Sequence, residues 1–153
     1  MLRAIGSLVW ACALYEEKLS RAVFWLECYR SDVILDLPGQ RTGRLSRERD
    51  LKRLLEDPQI ARVLGHDGVG FVSLAIDRIR NSLQFRDDLT HGHYLGDWGE
   101  NFVFRARGKT FEKENSELVA LTSTKIVRHG NKVLASAAIL ALIDGFFDNA
   151  LNG

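Results

Sequence analysis

A chain of 153 residues has the usual size of one domain with one core, so residues 1–153 are expected to form a single domain. Apolar residues make up 46% of the chain, which excludes an intrinsically disordered protein, and the formal net charge of +1 indicates no particular partner. Arginines outnumber lysines 15 to 6. Because the planar guanidinium matches phosphate geometry, this bias favours phosphate ligands, unless it only reflects an arginine-rich coding preference.

The first half of the chain predicts helices separated by one long connection. Apolar residues recur close to the 3.6-residue period over residues 2–29, which indicates a long helix. Residues 31–43 contain a proline and two glycines and are expected to form a connection. Ser46 is a good N-cap for a second helix. The Asp-Pro pair at 57–58 predicts that a short helix restarts there and stops near Gly65.

The second half predicts two more helices with a small β-hairpin between them. The third helix is expected to start near Asp67 and to end at Gly92, in a position typical of a glycine cap. Residues 102–107 and 118–121 are expected to be the two strands of the hairpin. The last helix then begins at 122–124 and runs to about 150. The predicted fold is therefore mainly α, a four-to-five-helix bundle with a small β-hairpin inserted before the C-terminal helix.

Cysteine usage and the apolar runs favour a cytoplasmic protein. Cys12 and Cys28 fall in one predicted helix and would be separated by roughly 24 Å, far beyond the ~7 Å that a disulfide allows. Two thiols without a disulfide framework indicate a reducing compartment. Residues 4–14 resemble a signal peptide, but the helical pattern continues past them. Residues 133–143 are too short a run to span a bilayer, which needs about 20 residues, so we expect no membrane partner and place this run in the core or at a dimer seam.

A basic segment precedes and enters the second helix. Residues 41–53 contain six basic residues against two acidic ones. Such a segment is either a nucleic-acid patch or, as we favour, a solvated helix face with internal ion pairs.

Charged groups follow the apolar stripe of the third helix. The stripe consists of Val72, Ile76, Ile79 and Leu83. At ~100° per residue, Arg86 lies near −40°, Asp87 near +60° and His91 near +100° from the line through Val72. Burying a charge is costly unless it is paired or meets a ligand, so these three residues form the candidate catalytic site.

The three side chains suit cleavage of RNA without a metal. Asp87 and His91 are one helical turn apart, so the carboxylate can hydrogen-bond the imidazole and favour its protonated form. Arg86 offers a permanent donor fork for a phosphate oxygen. A base would take the proton of the ribose 2′-OH, the 2′ oxygen would attack phosphorus, and a cation would stabilise the developing charge.

Arg86, Asp87 and His91 near the end of a long helix resemble the RxxxxH motif of HEPN domains, and Gly92 follows the histidine as in many such chains. The resemblance implies an all-α bundle that is commonly a homodimer with one composite site built from both protomers. It also implies a metal-independent endoribonuclease of toxin or defence type, which needs no cofactor and acts on RNA, with an antitoxin protein as a further partner. Arg86 would bind phosphate, Asp87 would orient His91, and His91 would transfer protons.

Other interpretations of the same residues stay open. Arg86 and His91 are also compatible with an ion-pair cluster in a non-catalytic interaction or nucleotide-binding module. A metal site would use Asp87, His91 and their neighbours Asp88 and His93, but the helix breaks between the histidines. Tyr94 is a candidate for stacking on a base, as is Trp98, and each could instead cover an edge of the core. Arg107 is a candidate contact for the RNA backbone, together with Arg105 on the same face of the strand. This face could instead be solvated.

Overall fold

The computed structural model describes residues 1–31, 43–91, 93–98, 101–105 and 118–152, and it describes side chains for 1–31, 43–91 and 121–147. In chain order the elements are α1 (Leu2–Ser31), α2 (Arg44–Leu55), α3 (Pro58–His91), β1 (His93–Trp98), β2 (Asn101–Arg105), β3 (Leu118–Leu121) and α4 (Ser123–Asn152). The described part of the chain therefore confirms the mainly helical class.

The core lies between α1, α3 and α4, with α2 covering one side. Its largest fully buried side chains include Tyr15 and Leu19 of α1, Ile79 of α3 and Leu140 of α4. These helices each contribute one apolar stripe, as the period of the sequence predicts. The run predicted for the core or a dimer seam buries one face, formed by Val133, Ala137, Leu140, Ile143 and Phe147, while Leu142 on another face is 72% exposed.

Side-chain contacts give the helix directions. Ser82 of α3 bonds to His129 of α4, whereas Ala75 accepts a hydrogen bond from Ser136, so α3 and α4 are antiparallel. α1 runs parallel to α4. Its early residue Leu8 lies against Gly130, where an added Cβ would be 3.7 Å from the Leu8 Cα atom. The end of α3 therefore lies beside the beginning of α4.

A buried carboxylate joins the later parts of α1 and α4. Asp144 is only 7% exposed. It accepts hydrogen bonds from Arg21 Nε at 2.8 Å, Trp25 Nε1 at 2.9 Å and Lys18 Nζ at 3.2 Å. Burial alone would raise the pKa of Asp144, but the hydrogen bonds from Trp25 and Lys18 and the charge of Arg21 hold it below its usual range.

One helix start differs from the prediction, and a predicted break is confirmed. α2 begins at Arg44 with Gly43 as its N-cap, and Ser46 lies in the first turn, where its N–H donates to the Gly43 carbonyl at 3.0 Å. The Ser46 cap was wrong, since Gly43 takes the N-cap position without a side-chain hydrogen bond. The predicted end of the short helix near Gly65 is confirmed, because the backbone of α3 is non-helical at that residue (φ 71°, ψ 164°) and helical on both sides of it.

The insertion before α4 is a three-stranded antiparallel sheet in the order β1-β2-β3. β2 pairs with β3 in a register that places Phe102 opposite Leu121. The sequence predicted a two-stranded hairpin and missed β1, because the residues of that strand include Gly96 at a register shift and do not alternate apolar and polar positions. Residues 106–117, which include the predicted turn, lie outside the described residues.

By length and composition, one helix in the described residues could cross a membrane. It is the stretch Ser123–Phe147 of α4. In the most apolar part of this stretch, 44% is buried inside the protein.

Candidate functional site

Arg86 turns towards the interior of the bundle. It follows the buried Leu83 on α3, and its side chain is 24% exposed. Its Nη2 atom donates a hydrogen bond to Glu16 Oε1 of α1 at 3.1 Å. Its Nε atom lies 2.9 Å from Asp87 Oδ1 as an ion pair. Arg86 and Asp87, both predicted site residues, are thus brought together at the junction of α1 and α3.

Two arginines of α2 enter the same junction. Arg44 Nη2 lies 3.7 Å from Asp87 Oδ2, and Arg44 Nε lies 3.8 Å from Glu48 Oε1. Arg47 Nη2 lies 3.9 Å from Glu16 Oε2, and Arg47 Nη1 donates to Ser20 Oγ. We use the name arginine cluster for Arg44, Arg47 and Arg86 together with the carboxylates of Glu16, Glu48 and Asp87. It contains three cations and three anions, most of them at the outer limit of ion-pair distance.

Several buried guanidinium nitrogens of the arginine cluster make no hydrogen bond. Arg44 Nε, Arg44 Nη1, Arg47 Nε and Arg86 Nε are buried and make no hydrogen bond within the described part of the chain. They are the only such side-chain atoms there. A buried polar group without a hydrogen bond typically costs about 1–3 kcal/mol, and more if it is charged, so native proteins rarely keep several together. Arg86 Nε and Arg44 Nε do lie 2.9 Å and 3.8 Å from carboxylate oxygens as ion pairs, so the four atoms are donors without a hydrogen bond and not cations without a counter-charge.

Burial raises the pKa of three groups in or beneath the cluster. Burial raises the pKa of the Cys12 thiol, and the nearby Arg86 only partly opposes this. Burial also raises the pKa of Tyr15, whose hydroxyl donates to Glu48 Oε1 at 3.3 Å. The pKa of Glu48 is raised by burial in spite of Arg44 and of that hydrogen bond. Burial therefore opposes the charged form of Glu48, and the charge of Arg44 favours it.

His91 lies apart from the arginine cluster within one chain. It is the last residue of α3 and is exposed. In the described residues Asp87 pairs with Arg86 and Arg44, and no contact joins it to His91, so the expected Asp87–His91 hydrogen bond is not seen. Five residues of helix separate Arg86 and His91 by about 140° around the axis. The two groups that the motif pairs therefore point to different sides of α3.

The remaining predicted contacts fall in the insertion. Tyr94 lies in β1, opposite Phe104 of β2, and its side chain is outside the described part. Arg107, the other candidate RNA contact, lies outside the described residues. Among the side chains that are described, no group of three His, Cys, Asp or Glu residues is placed to hold a metal ion.

Sequence reasoning missed Arg44 and Arg47 as members of the site. The signal was the density of basic residues in 41–53, for which a solvated face was favoured. Part of that interpretation agrees with the structure, because Arg53 pairs with Asp50 at 3.8 Å and Lys52 with Asp77 at 2.7 Å. The two arginines of the first turn of α2 differ, since they face inward and their side chains are only 15–17% exposed.

The first turn of α2 carries the two arginines and no acidic residue. The positive end of the helix dipole disfavours cations at this position, so neither the dipole nor a side-chain cap explains them.

No protein-family model, curated protein or solved structure matches this chain.

Proposed function

We propose that this chain is an HEPN-like, metal-independent endoribonuclease that works as a homodimer and binds the phosphates of RNA at the arginine cluster. The single observation that carries the proposal is the set of four buried guanidinium nitrogens on Arg44, Arg47 and Arg86 that make no hydrogen bond within the described part of the chain. A phosphate group presents several acceptor oxygens to such forks and forms short, charge-assisted hydrogen bonds with them. RNA supplies this group together with the 2′-OH that the cleavage chemistry needs.

In the proposed reaction, Arg86 holds the scissile phosphate and stabilises the charge that develops on its oxygens. Asp87 keeps the Arg86 guanidinium in place, a role different from the expected orientation of His91. His91 takes the proton of the ribose 2′-OH, and the 2′ oxygen forms a bond to phosphorus. The bond to the 5′ oxygen breaks and that oxygen takes up a proton, which leaves a 2′,3′-cyclic phosphate and a 5′-hydroxyl.

A composite site reconciles this chemistry with the separation of Arg86 and His91. In a two-fold dimer, His91 of one protomer would approach the arginine cluster of the other. Large exposed apolar side chains support association of the chain, among them Trp10 at 58%, Phe71 at 61% and Leu142 at 72% exposure. Tyr94 and Arg107 of the insertion remain proposed contacts to the RNA.

Cleavage of a mixed RNA pool in the presence of EDTA tests the proposal. Wild-type protein is expected to cleave, and Arg86→Ala and His91→Ala are each expected to lose at least about 100-fold in rate, the usual contribution of a general base or of an oxyanion donor. His66→Ala is the matched control, because His66 is an exposed histidine far from the end of α3. Equal cleavage by wild type and His91→Ala, or no cleavage by either, would refute the enzyme. Mixing the two inactive variants should restore activity if the site is shared between protomers.

A non-catalytic module is the second candidate, and one observation favours it. Arg86 already pairs with Glu16 and Asp87, while His91 makes no contact to either within the described residues. Such a module would bind RNA or a nucleotide through the arginine cluster and leave it intact. RNA binding that depends on Arg86, without cleavage and without any effect of His91→Ala, would establish this function instead.

A further inference from the structure

A second group of cations lies on the first three turns of α4. Lys125, Arg128, His129 and Lys132 are spaced i, i+3, i+4 and i+7, which places them on one face of the helix over about 10 Å. The lysines and the arginine are exposed, and His129 is half-buried. We call these four residues the α4 basic stripe. None of them belongs to the arginine cluster.

The stripe has no counter-charge in the first 21 residues of its own helix. Residues 123–143 contain no aspartate or glutamate. In the part of the chain with described side chains, no ion pair involves Lys125, Arg128 or Lys132, although many other basic residues there are paired. Lys125 even lies in the first turn, where the helix dipole disfavours a cation and where no acidic residue is present. Ion pairing and the helix dipole therefore do not explain these cations.

His129 forms a flat, fixed centre for the stripe. Its Nδ1 atom lies 2.9 Å from Ser82 Oγ, and its ring stacks on Phe85 with centroids 4.1 Å apart. Lys125 Nζ lies 5.9 Å from the centre of the Phe85 ring. Burial and the neighbouring cations lower the pKa of His129, so the imidazole adds a neutral hydrogen-bonding group between three charges.

The place of the stripe in the fold points to the same ligand as the arginine cluster. Because α3 and α4 are antiparallel and Phe85 meets His129, the first turns of α4 lie at the end of the bundle where α3 ends at His91. We infer that the α4 basic stripe is a contact surface for the phosphate backbone of single-stranded RNA, which it leads towards His91. This inference rests on the proposed function, since it assigns a second contact to the same RNA.

A membrane surface suits the stripe less well. An amphipathic helix lying on a membrane needs apolar residues that can enter the lipid beside its cations. The apolar neighbours Ile126 and Val133 are fully buried in the core and cannot do so, and Val127, at 42% exposure, is one short side chain. A backbone of evenly spaced phosphates needs only exposed cations, which are what the stripe offers.

The test measures RNA affinity as a function of salt. A fluorescent single-stranded RNA is titrated by anisotropy at several salt concentrations with wild type and with the triple variant Lys125→Gln, Arg128→Gln, Lys132→Gln. The logarithm of the association constant falls with the logarithm of the salt concentration, and each lost phosphate contact should make this slope less steep by about 0.7. The triple variant should therefore have a slope less steep by about 2 and an affinity about 100-fold weaker near 0.1 M salt. The control removes the same charge from three other exposed arginines, Arg3, Arg62 and Arg78.

Equal slopes for the stripe variant and the control variant would overturn the inference. Binding of wild type to anionic phospholipid vesicles but not to RNA would overturn it in favour of a membrane, and failure to bind either would overturn it as well. Because the readout is binding, RNA that is bound through the stripe but never cleaved would refute the proposed enzyme and leave this inference standing. Circular dichroism and thermal unfolding of both triple variants show whether each is folded.

Discussion

Glu16 competes with the proposed phosphate for two arginines, and its removal should therefore tighten binding. Its carboxylate accepts from Arg86 Nη2 at 3.1 Å and lies 3.9 Å from Arg47 Nη2. A phosphate that binds both guanidiniums must displace or weaken these contacts. In Glu16→Gln the side chain keeps its shape, but the charge that holds the two cations is gone.

The size of the effect follows from the two ion pairs. The Arg86 pair is short and partly buried, so it should be near the upper end of the ~0.2–1 kcal/mol that partly exposed pairs contribute. The Arg47 pair is at the limit of ion-pair distance and should contribute about 0.3 kcal/mol. Together they oppose phosphate binding by about 1 kcal/mol, so Glu16→Gln should bind RNA about fivefold more tightly than wild type.

Anisotropy titration of a short RNA at constant ionic strength measures this gain. Glu17→Gln is the matched control, because the neighbouring Glu17 side chain is 57% exposed and its loss changes the net charge equally. Any general attraction of RNA to a more positive protein should appear in both variants. If Glu16→Gln gains no more than Glu17→Gln, or binds more weakly, the arginines are not a phosphate site and the cluster is a structural ion-pair network.

Two further predictions concern the frame that holds the site. Asp144→Asn should cost about 2 kcal/mol of unfolding free energy at neutral pH, because Lys18 and Arg21 lose their partly buried counter-charge. The folded-state pKa of Asp144 is lowered, so its stabilisation is complete above the unfolded pKa of about 4 and is lost as the pH falls through the folded pKa. Urea unfolding should therefore show a difference from wild type that shrinks in acid, and a constant difference would contradict this. Gly65→Ala should lower the unfolding free energy by about 1–3 kcal/mol because the backbone at this residue has a positive φ of 71°. Gly70→Ala is the control at an exposed helical position and should raise the unfolding free energy by about 1 kcal/mol. Equal effects of the two substitutions would exclude a strained break in α3.

The helices could be predicted because their cause is local. Apolar residues at the 3.6-residue period mark the face that each helix must bury, and this pattern is complete within about thirty residues of chain. The same arithmetic predicts Arg86, Asp87 and His91 on or beside the stripe of α3. Arg86 and Asp87 lie at the junction with α1, whereas His91 is exposed. Strand β1 was missed because a short segment without alternation carries no comparable local signal.

The partners of Arg86 could not be predicted in the same way. Glu16 is 70 residues away in the chain, and Arg44 and Arg47 reach the cluster only because α2 packs across α1 and α3. A basic residue in a sequence looks the same whether it faces water or a neighbouring helix. Periodicity in the chain is therefore sufficient to predict which face of a helix is buried. The docking of one helix against another determines which charges meet inside and which donors are left without a partner.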